Sequence, residues 1–379
     1  TSWSYYGSVG FAEQNGFLFL AIYLGVTVAF MLTPLLLQPI LKLTREFQLA
    51  SLADLFAFRY RSQAAGVLVT LFMLVGALPY IALQIRAVTE SLSVLSQEAP
   101  PSSIAMGFVV TLTVFAILFG ARHISPREKH QGLVAAIAFE SLVKLLALLA
   151  VGIFAIAGIF GGLDGLSGWL EAHPEALDRL YAPMTDGPWS TLLFLSFAAA
   201  FLLPRQFHMI FTENMDPRAL RTAAWGFPLF LLLLNLPILP VLWAGEALGT
   251  PVQADYYVLA LTLTEGSEWF TIATFIGGLS AASAMVIVTT LSLSYMVLNH
   301  ILLPASYPDP KLDLYRWLLW TRRLMIFLVL LAGFAFYALL EHNEGLVQLG
   351  LISFVAVAQF LPGIVGLLYW RSANRWGVI

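Results

Sequence analysis

The sequence runs repeatedly through stretches of about 20 residues or more with hardly any charge: 15–43, 64–95, 102–120, 132–161, 188–212, 220–245, 268–302, 319–341 and 346–370. Each is long enough for a helix to cross a hydrocarbon core of about 30 Å. In lipid every backbone N–H and C=O must be satisfied within the segment, so stretches of this length are helices rather than strands. The predicted fold class is therefore an all-α polytopic membrane protein with nine crossings. Residues 1–12 are too short and too rich in Gly, Ser and Tyr to span; they read as the second half of a further helix. The opening TSWSYYGSVG has neither an initiator Met nor a charged n-region, so it is not a signal peptide. At the other end RSANRWGVI stops as a new apolar run begins, and both ends read as boundaries inside a longer chain.

Composition agrees with this reading. Hydrophobic residues make up 59% of the chain and charged residues 11%, against about 25% charged in soluble domains, and the mean hydropathy is +0.84. A bilayer takes up the apolar area that would otherwise demand two soluble cores, so residues 1–379 are expected to form one domain. A net charge of -3 without a basic tail argues against nucleic acid. The absence of cysteine excludes disulfides, thiolate metal sites and a Cys nucleophile.

Charge in the connections and at the span ends beside them tests the helix count independently of hydropathy. One alternate set holds Lys42, Arg45, Arg59 and Arg61, then Arg122, Arg127 and Lys129, then Arg218 and Arg221, then Lys311, Arg316, Arg322 and Arg323, and finally Arg371 and Arg375. The other set holds Arg179 among acidic residues such as Asp164, Glu171, Glu175, Asp178, Asp186, Glu246, Asp255, Glu265 and Glu268. A missed or invented helix would scramble this alternation. The positive set is expected on the cytoplasmic side, which puts residue 1 towards the outside and the C-terminus in the cytoplasm.

Three basic residues remain, and all fall inside spans away from their ends: Arg86, Lys144 and Arg205. A charge at a helix centre costs about 2.5–3.5 kcal/mol on insertion scales, so each calls for a partner or a wet cavity. Glu140 and Lys144, four apart in FESLVK, share a helix face; they are either a structural ion pair or a proton or cation acceptor tuned by its neighbour. Arg86 and Glu90 have the same spacing near Gln84, and fit a helix-locking pair at least as well as a ligand contact. In FLLPRQFH, Pro204 removes a backbone donor in front of Arg205, Gln206 and His208. The expectation is a discontinuous helix lining a solute site; the alternative is a plain kink with Arg205 reaching for the inner headgroups.

Ser2, Trp3, Ser4, Tyr5 and Tyr6 bring hydroxyls and aromatic rings together near the start, which an interfacial aromatic belt explains almost as well as a site. FIGGLSAASAMVIVTTLSLSYMV carries Gly277, Gly278, Ser280, Ser283, Thr289, Thr290, Ser292 and Ser294; close helix packing accounts for many of them, and hydroxyl oxygens also suit a hard cation. The histidines are scattered, with His123, His130, His173 and His342 in connections and His300 at a helix end, and there is no HExxH pair, Walker loop or Gly-x-Ser-x-Gly elbow. An enzyme is not expected, nor an organic cofactor.

The opening WSYYGSVG, LADLFAFRYRS after the first full span, the LSAAS helix and the closing QFLPGIVGLLYWRSANRWG resemble the sodium/solute symporter family over essentially the whole chain. SWSYYGSVG, LPYIALQIRAV, GLVAAIAFESLVKL and FLLPRQFHM look more closely like the symporter-like membrane part of CbrA-type sensor histidine kinases. The resemblance implies a LeuT-like 5+5 inverted-repeat transporter fold. Its first repeat would be 1–162, lacking the start of its first helix, and its second 188–370. It places solute contacts at Ser2, Trp3, Tyr5 and Gln84 and around Arg205, Gln206 and His208. It places the family's sodium site at Gly277 and Ser280, with Ser283 nearby and Ala281 standing where a second hydroxyl belongs. That replacement puts Na+ coupling in question and makes H+ coupling through Glu140 and Lys144 the alternative. By the same resemblance the solute is an amino acid, histidine or similar. The setting is a bacterial inner membrane, and a cytoplasmic kinase module lies further along the full-length chain. The function implied is ion-coupled transport linked to sensing, the alternative a non-transporting receptor.

Overall fold

The computed structural model describes residues 1–96, 100–120, 130–181, 187–305, 313–339 and 346–377. Arg122, Arg127, Lys129, Lys311, Asp186, His123 and His342, used above for charge and motif patterns, lie outside them. The described residues form helices and turns without strands. Eight helical stretches are long and apolar enough to cross a membrane, and a bent pair makes nine. The protein is a multi-pass membrane protein.

The chain opens with a π-turn at Trp3–Gly7 that runs into α1, Ser8–Asn15. Gly16 then breaks the helix at φ +52, where a β-carbon would come within 2.3 Å of the Leu180 carbonyl oxygen; only glycine fits both demands. α2 covers Phe19–Met31. The apolar stretch predicted as a single span over 15–43 does not continue through its second half. Pro34 disfavours helical backbone at Thr33, the Thr33 hydroxyl donates to the Phe30 carbonyl at 2.5 Å, and the chain turns before restarting as the short α3, Leu37–Glu46. Next comes α4, Leu52–Tyr60, capped by the Ser51 hydroxyl, which accepts the Asp54 N–H at 3.1 Å. The Asp54 carboxylate meets His300 Nε2 at 2.7 Å and so ties α4 to the end of a distant span.

α5 (Gln63–Leu95), α6 (Pro101–Phe115) and α7 (Gln131–Phe154) follow the predicted spans closely. Two short helices, α8 (Leu163–Ala172) and α9 (Pro174–Tyr181), precede α10, Trp189–Leu202. The helix then breaks where proline predicted. Leu203 takes an extended ψ of 137°, α11 restarts at Pro204–Phe207, and a π-turn continues to Thr212. The two halves meet at 49°, and the Ser292 hydroxyl donates to the Pro204 carbonyl at 3.0 Å, supplying a partner at the break. α12 (Pro217–Asn235) and α13 (Ile238–Ala247) form the next span; α14 (Tyr257–Glu265) leads into α15 (Glu268–Val297); α16 (Leu314–Leu339), α17 (Leu346–Ala358) and α18 (Leu361–Tyr369) complete the bundle.

Three pairings position the interior: α2 against α10, α7 against α15, and α5 against α17. The first is the tightest. At Gly25 a β-carbon would sit 2.0 Å from Ser196 Oγ and 2.3 Å from the Leu193 carbonyl oxygen. Close backbone approach of this kind is how helices gain dispersion contact in lipid, where no hydrophobic drive pulls them together.

Candidate functional site

A cavity of about 300 Å³ lies beside the break between α10 and α11. Trp3 and Ser4 line it from the N-terminal segment, Tyr23 from α2, Ser141 and Lys144 from α7, Arg205 and Gln206 from α11, Phe227 and Phe230 from α12, and Phe354 from α17. The helix restart at Pro204 explains why Arg205 and Gln206 face inward: they occupy the first turn of α11, directly after the extended residue. Trp3 is held by Phe354, with ring centroids 4.7 Å apart.

Two buried cations converge here. Arg205 is 5% exposed, and its guanidinium carbon sits 3.7 Å from the Tyr80 ring centroid. Arg205 Nε is buried and has no hydrogen-bond partner among the described residues. Lys144 is 7% exposed, with Nζ 5.7 Å from the Phe230 ring centroid. Aromatic faces stabilise both charges by about 0.5–2 kcal/mol each, and among the described residues no carboxylate lines the cavity. The electrostatic consequence is a chamber whose charged lining residues are both positive.

Glu140 and Lys144 lie one turn apart and attract one another electrostatically, but among the described residues no close ion pair joins them. Instead the Ser283 hydroxyl on α15 donates to Glu140 Oε1 at 3.3 Å, and the Ser280 hydroxyl donates to the Gly277 carbonyl at 2.8 Å. Gly277, Ser280, Ser283 and Glu140 thus form a polar seam along the α7–α15 crossing, with the methyl of buried Ala281 on the same stretch of α15. Close packing needs Gly277 in any case, since a β-carbon there would come 2.7 Å from the Tyr5 hydroxyl.

Ser2, Tyr5 and Gln84 are brought together, but outside the cavity lining. Gln84 Oε1 accepts the Ser2 N–H at 3.0 Å, and the Tyr5 hydroxyl donates to the Thr274 carbonyl at 2.8 Å. Both contacts anchor the N-terminal segment, to α5 and to α15. His208 also lies away from the cavity, its Nε2 turned to Glu213 Oε1 at 3.1 Å. Arg86 and Glu90 pair at 2.6 Å on one face of α5, the helix-locking arrangement their spacing offered. Tyr80, Tyr23, Ser141 and Phe230 were not singled out in the sequence. Of these Tyr80, next to Pro79 in the quoted LPYIALQIRAV, and Ser141, next to Glu140 in the quoted FESLVK, lay beside a signal; an aromatic residue in an apolar span otherwise looks like core.

The broken helix, the long spans and the central cavity define a helical membrane protein with the LeuT-like, 5+5 inverted-repeat transporter fold. The chain superposes on a Na+-coupled sialic acid symporter, solved in a substrate-bound outward-open state, with a TM-score of 0.73 at 12% identity, over 99% of this chain and 77% of that one. In sequence it is 24% identical over 283 residues to the uncharacterized symporter YhjB of Bacillus subtilis (strain 168), a match covering 71% of this chain and 54% of that protein. The chain therefore spans about half the length of this curated relative. No family model matches.

Proposed function

We propose that this protein is an ion-coupled secondary transporter of a small solute bearing a carboxylate, bound in the cavity between Arg205, Lys144 and Gln206. The observation that carries the reading is the convergence of two buried cations on a chamber that, among the described residues, no carboxylate lines. An unpaired buried charge is costly, and a solute carboxylate would satisfy both at once through charge-assisted hydrogen bonds. Similarity to a symporter in sequence and to another in fold supports the transport reading.

Trp3, Tyr23, Phe230 and Phe354 give the rest of the chamber flat apolar walls suited to a ring. An amino acid such as histidine meets both requirements, with its carboxylate on Arg205 and its imidazole between aromatic faces. For coupling, the Ser280–Ser283–Glu140 seam is the proposed ion site. Ala281 contributes no side-chain oxygen there, which favours a proton on Glu140 over a sodium ion. The charge alternation supports residue 1 outside and the C-terminus in the cytoplasm, and the likeness to a bacterial symporter supports a bacterial cytoplasmic membrane as the setting.

Binding of radiolabelled histidine to the purified full chain tests the solute class. Competition by unlabelled histidine but not by histamine, which lacks the carboxylate, is expected. Equal competition by histamine would remove the role given to Arg205 and Lys144. Saturable binding without uptake under any gradient would instead support a receptor that passes occupancy to a signalling module.

A further inference from the structure

At the far end of the broken helix from the cavity, three potential metal ligands meet without a part in the solute site. His208 and Glu213 come from the π-turn and the residue directly after it, and His130 sits immediately before α7. His130 Nδ1 lies 2.8 Å and His208 Nε2 3.1 Å from the same Glu213 oxygen, and one donor atom from each of the three residues falls within 4.8 Å of the others. The second Glu213 oxygen accepts the His130 backbone N–H at 3.0 Å. Glu213 is buried, while the side chains of His130 and His208 keep 18% and 13% of their surface exposed, so an ion could reach the cluster and retain an open position.

We propose that His130, His208 and Glu213 form a binding site for a borderline divalent transition metal of the Zn2+ type. Two imidazoles and one carboxylate suit zinc, cobalt or nickel, whereas magnesium and calcium want oxygen ligands throughout. Zinc bonds of about 2.0–2.1 Å in tetrahedral geometry hold neighbouring donor atoms about 3.3 Å apart. The present N···O separations need to open by a few tenths of an ångström as the ion takes the place of the bridging hydrogens, and the two imidazole nitrogens, within 4.8 Å of one another, to close onto it. The fourth position would hold water. His208 Nδ1 is buried with no partner among the described residues, so the ring is oriented here by its Nε2 contact alone. Arg322 acts electrostatically on Glu213 and would moderate the affinity.

The position gives such a site a consequence. His130 leads into α7, which carries Glu140 and Lys144; His208 and Glu213 continue α11, which carries Arg205 and Gln206. An ion held by all three ties together the two elements whose cations line the cavity, and would restrain any motion of one against the other.

The test is titration of the purified, metal-stripped full chain with Zn2+ by calorimetry, and with Co2+ by visible absorption. One ion per chain at micromolar affinity or tighter is expected, with the strong d–d bands of four-coordinate cobalt. His130→Ala and His208→Ala should each weaken binding by 10-fold or more. His173→Ala, on the other side of the molecule, should leave it unchanged, and monodisperse elution of every variant would show that the fold persists. No saturable binding by wild-type protein, or binding that survives both His130→Ala and His208→Ala, would overturn the assignment. Glu213→Gln, which keeps the hydrogen-bonding shape but not the charge, should also lose the ion; retention would remove Glu213 from the ligand set.

Discussion

The Arg205 guanidinium stacks on the Tyr80 ring at 3.7 Å, bringing the first turn of α11 against the middle of α5. Stacking leaves the edge of the guanidinium free to fork onto a carboxylate, a geometry that lysine cannot copy. Arg205→Lys is therefore expected to weaken solute binding about 10-fold and Arg205→Ala about 10–100-fold, consistent with about 1.5–3 kcal/mol for a hydrogen bond to a charged group. Tyr80→Leu should cost less, about 0.5–2 kcal/mol, because it removes only the ring face. Equilibrium binding of radiolabelled solute measures all three.

The α7–α15 seam gives a separable expectation. Glu140→Gln keeps an acceptor for the Ser283 hydroxyl but can no longer exchange a proton, so it should retain solute binding and lose uptake driven by a proton gradient. Ser283→Ala removes one hydrogen bond at 3.3 Å and should slow uptake only a few-fold, in line with about 0.5–1.5 kcal/mol for such a bond. Parallel binding and uptake measurements on each variant distinguish coupling from affinity.

Why the sequence revealed the break and not the chamber follows from what each depends on. Pro204 acts on its own backbone and its neighbour, so the interruption of the 188–212 span could be read from FLLPRQFH alone, as could the cost of burying Arg205 and Lys144. Pro34 exerts the same local effect, yet 15–43 was read as one span because apolar residues continue past the turn; hydropathy reports the environment of a segment, not the continuity of its helix. Which side chains line the cavity depends instead on how helices distant in sequence rotate against one another. Gln84, expected as a solute contact, turns to the Ser2 backbone. His208 was grouped with Arg205 by proximity in sequence, but its place on the following π-turn aims it at Glu213. Tyr80 and Phe230, which cover the two cations, differ in no local way from core aromatics.

The α2–α10 crossing should tolerate almost nothing larger than glycine at residue 25. Gly25→Ala would put a methyl against the Leu193 carbonyl and Ser196 Oγ, and because backbone is involved the helices must separate. A loss of about 1–3 kcal/mol is expected, read as a lower melting temperature of the detergent-solubilised protein. Gly226→Ala, where a β-carbon meets open space, is the control and should leave the melting temperature nearly unchanged.

Asp255, in the connection between α13 and α14, links pH to stability. Burial, helped by the nearby Glu90 and Glu13 carboxylates and opposed by the Leu346 N–H and Arg86, raises its carboxyl to about 7. The unfolded value is about 3.9, so the fold favours the protonated form. Its contribution is complete below about pH 4 and is lost as pH rises through 7, an effect on the order of 2–4 kcal/mol. Wild-type protein should thus melt lower at pH 8 than at pH 5 by an increment that Asp255→Asn removes; an unchanged pH dependence in Asp255→Asn would assign the effect elsewhere.

The most direct test of the proposed function is uptake of radiolabelled histidine into proteoliposomes containing the full chain, with a proton gradient and a sodium gradient imposed in turn. Accumulation driven by protons, lost in Arg205→Ala through binding and in Glu140→Gln through coupling, is the expected result. Accumulation driven only by sodium would contradict the role given to Glu140 and Ala281, and no uptake or binding of any carboxylate solute would contradict the function assigned to the cavity.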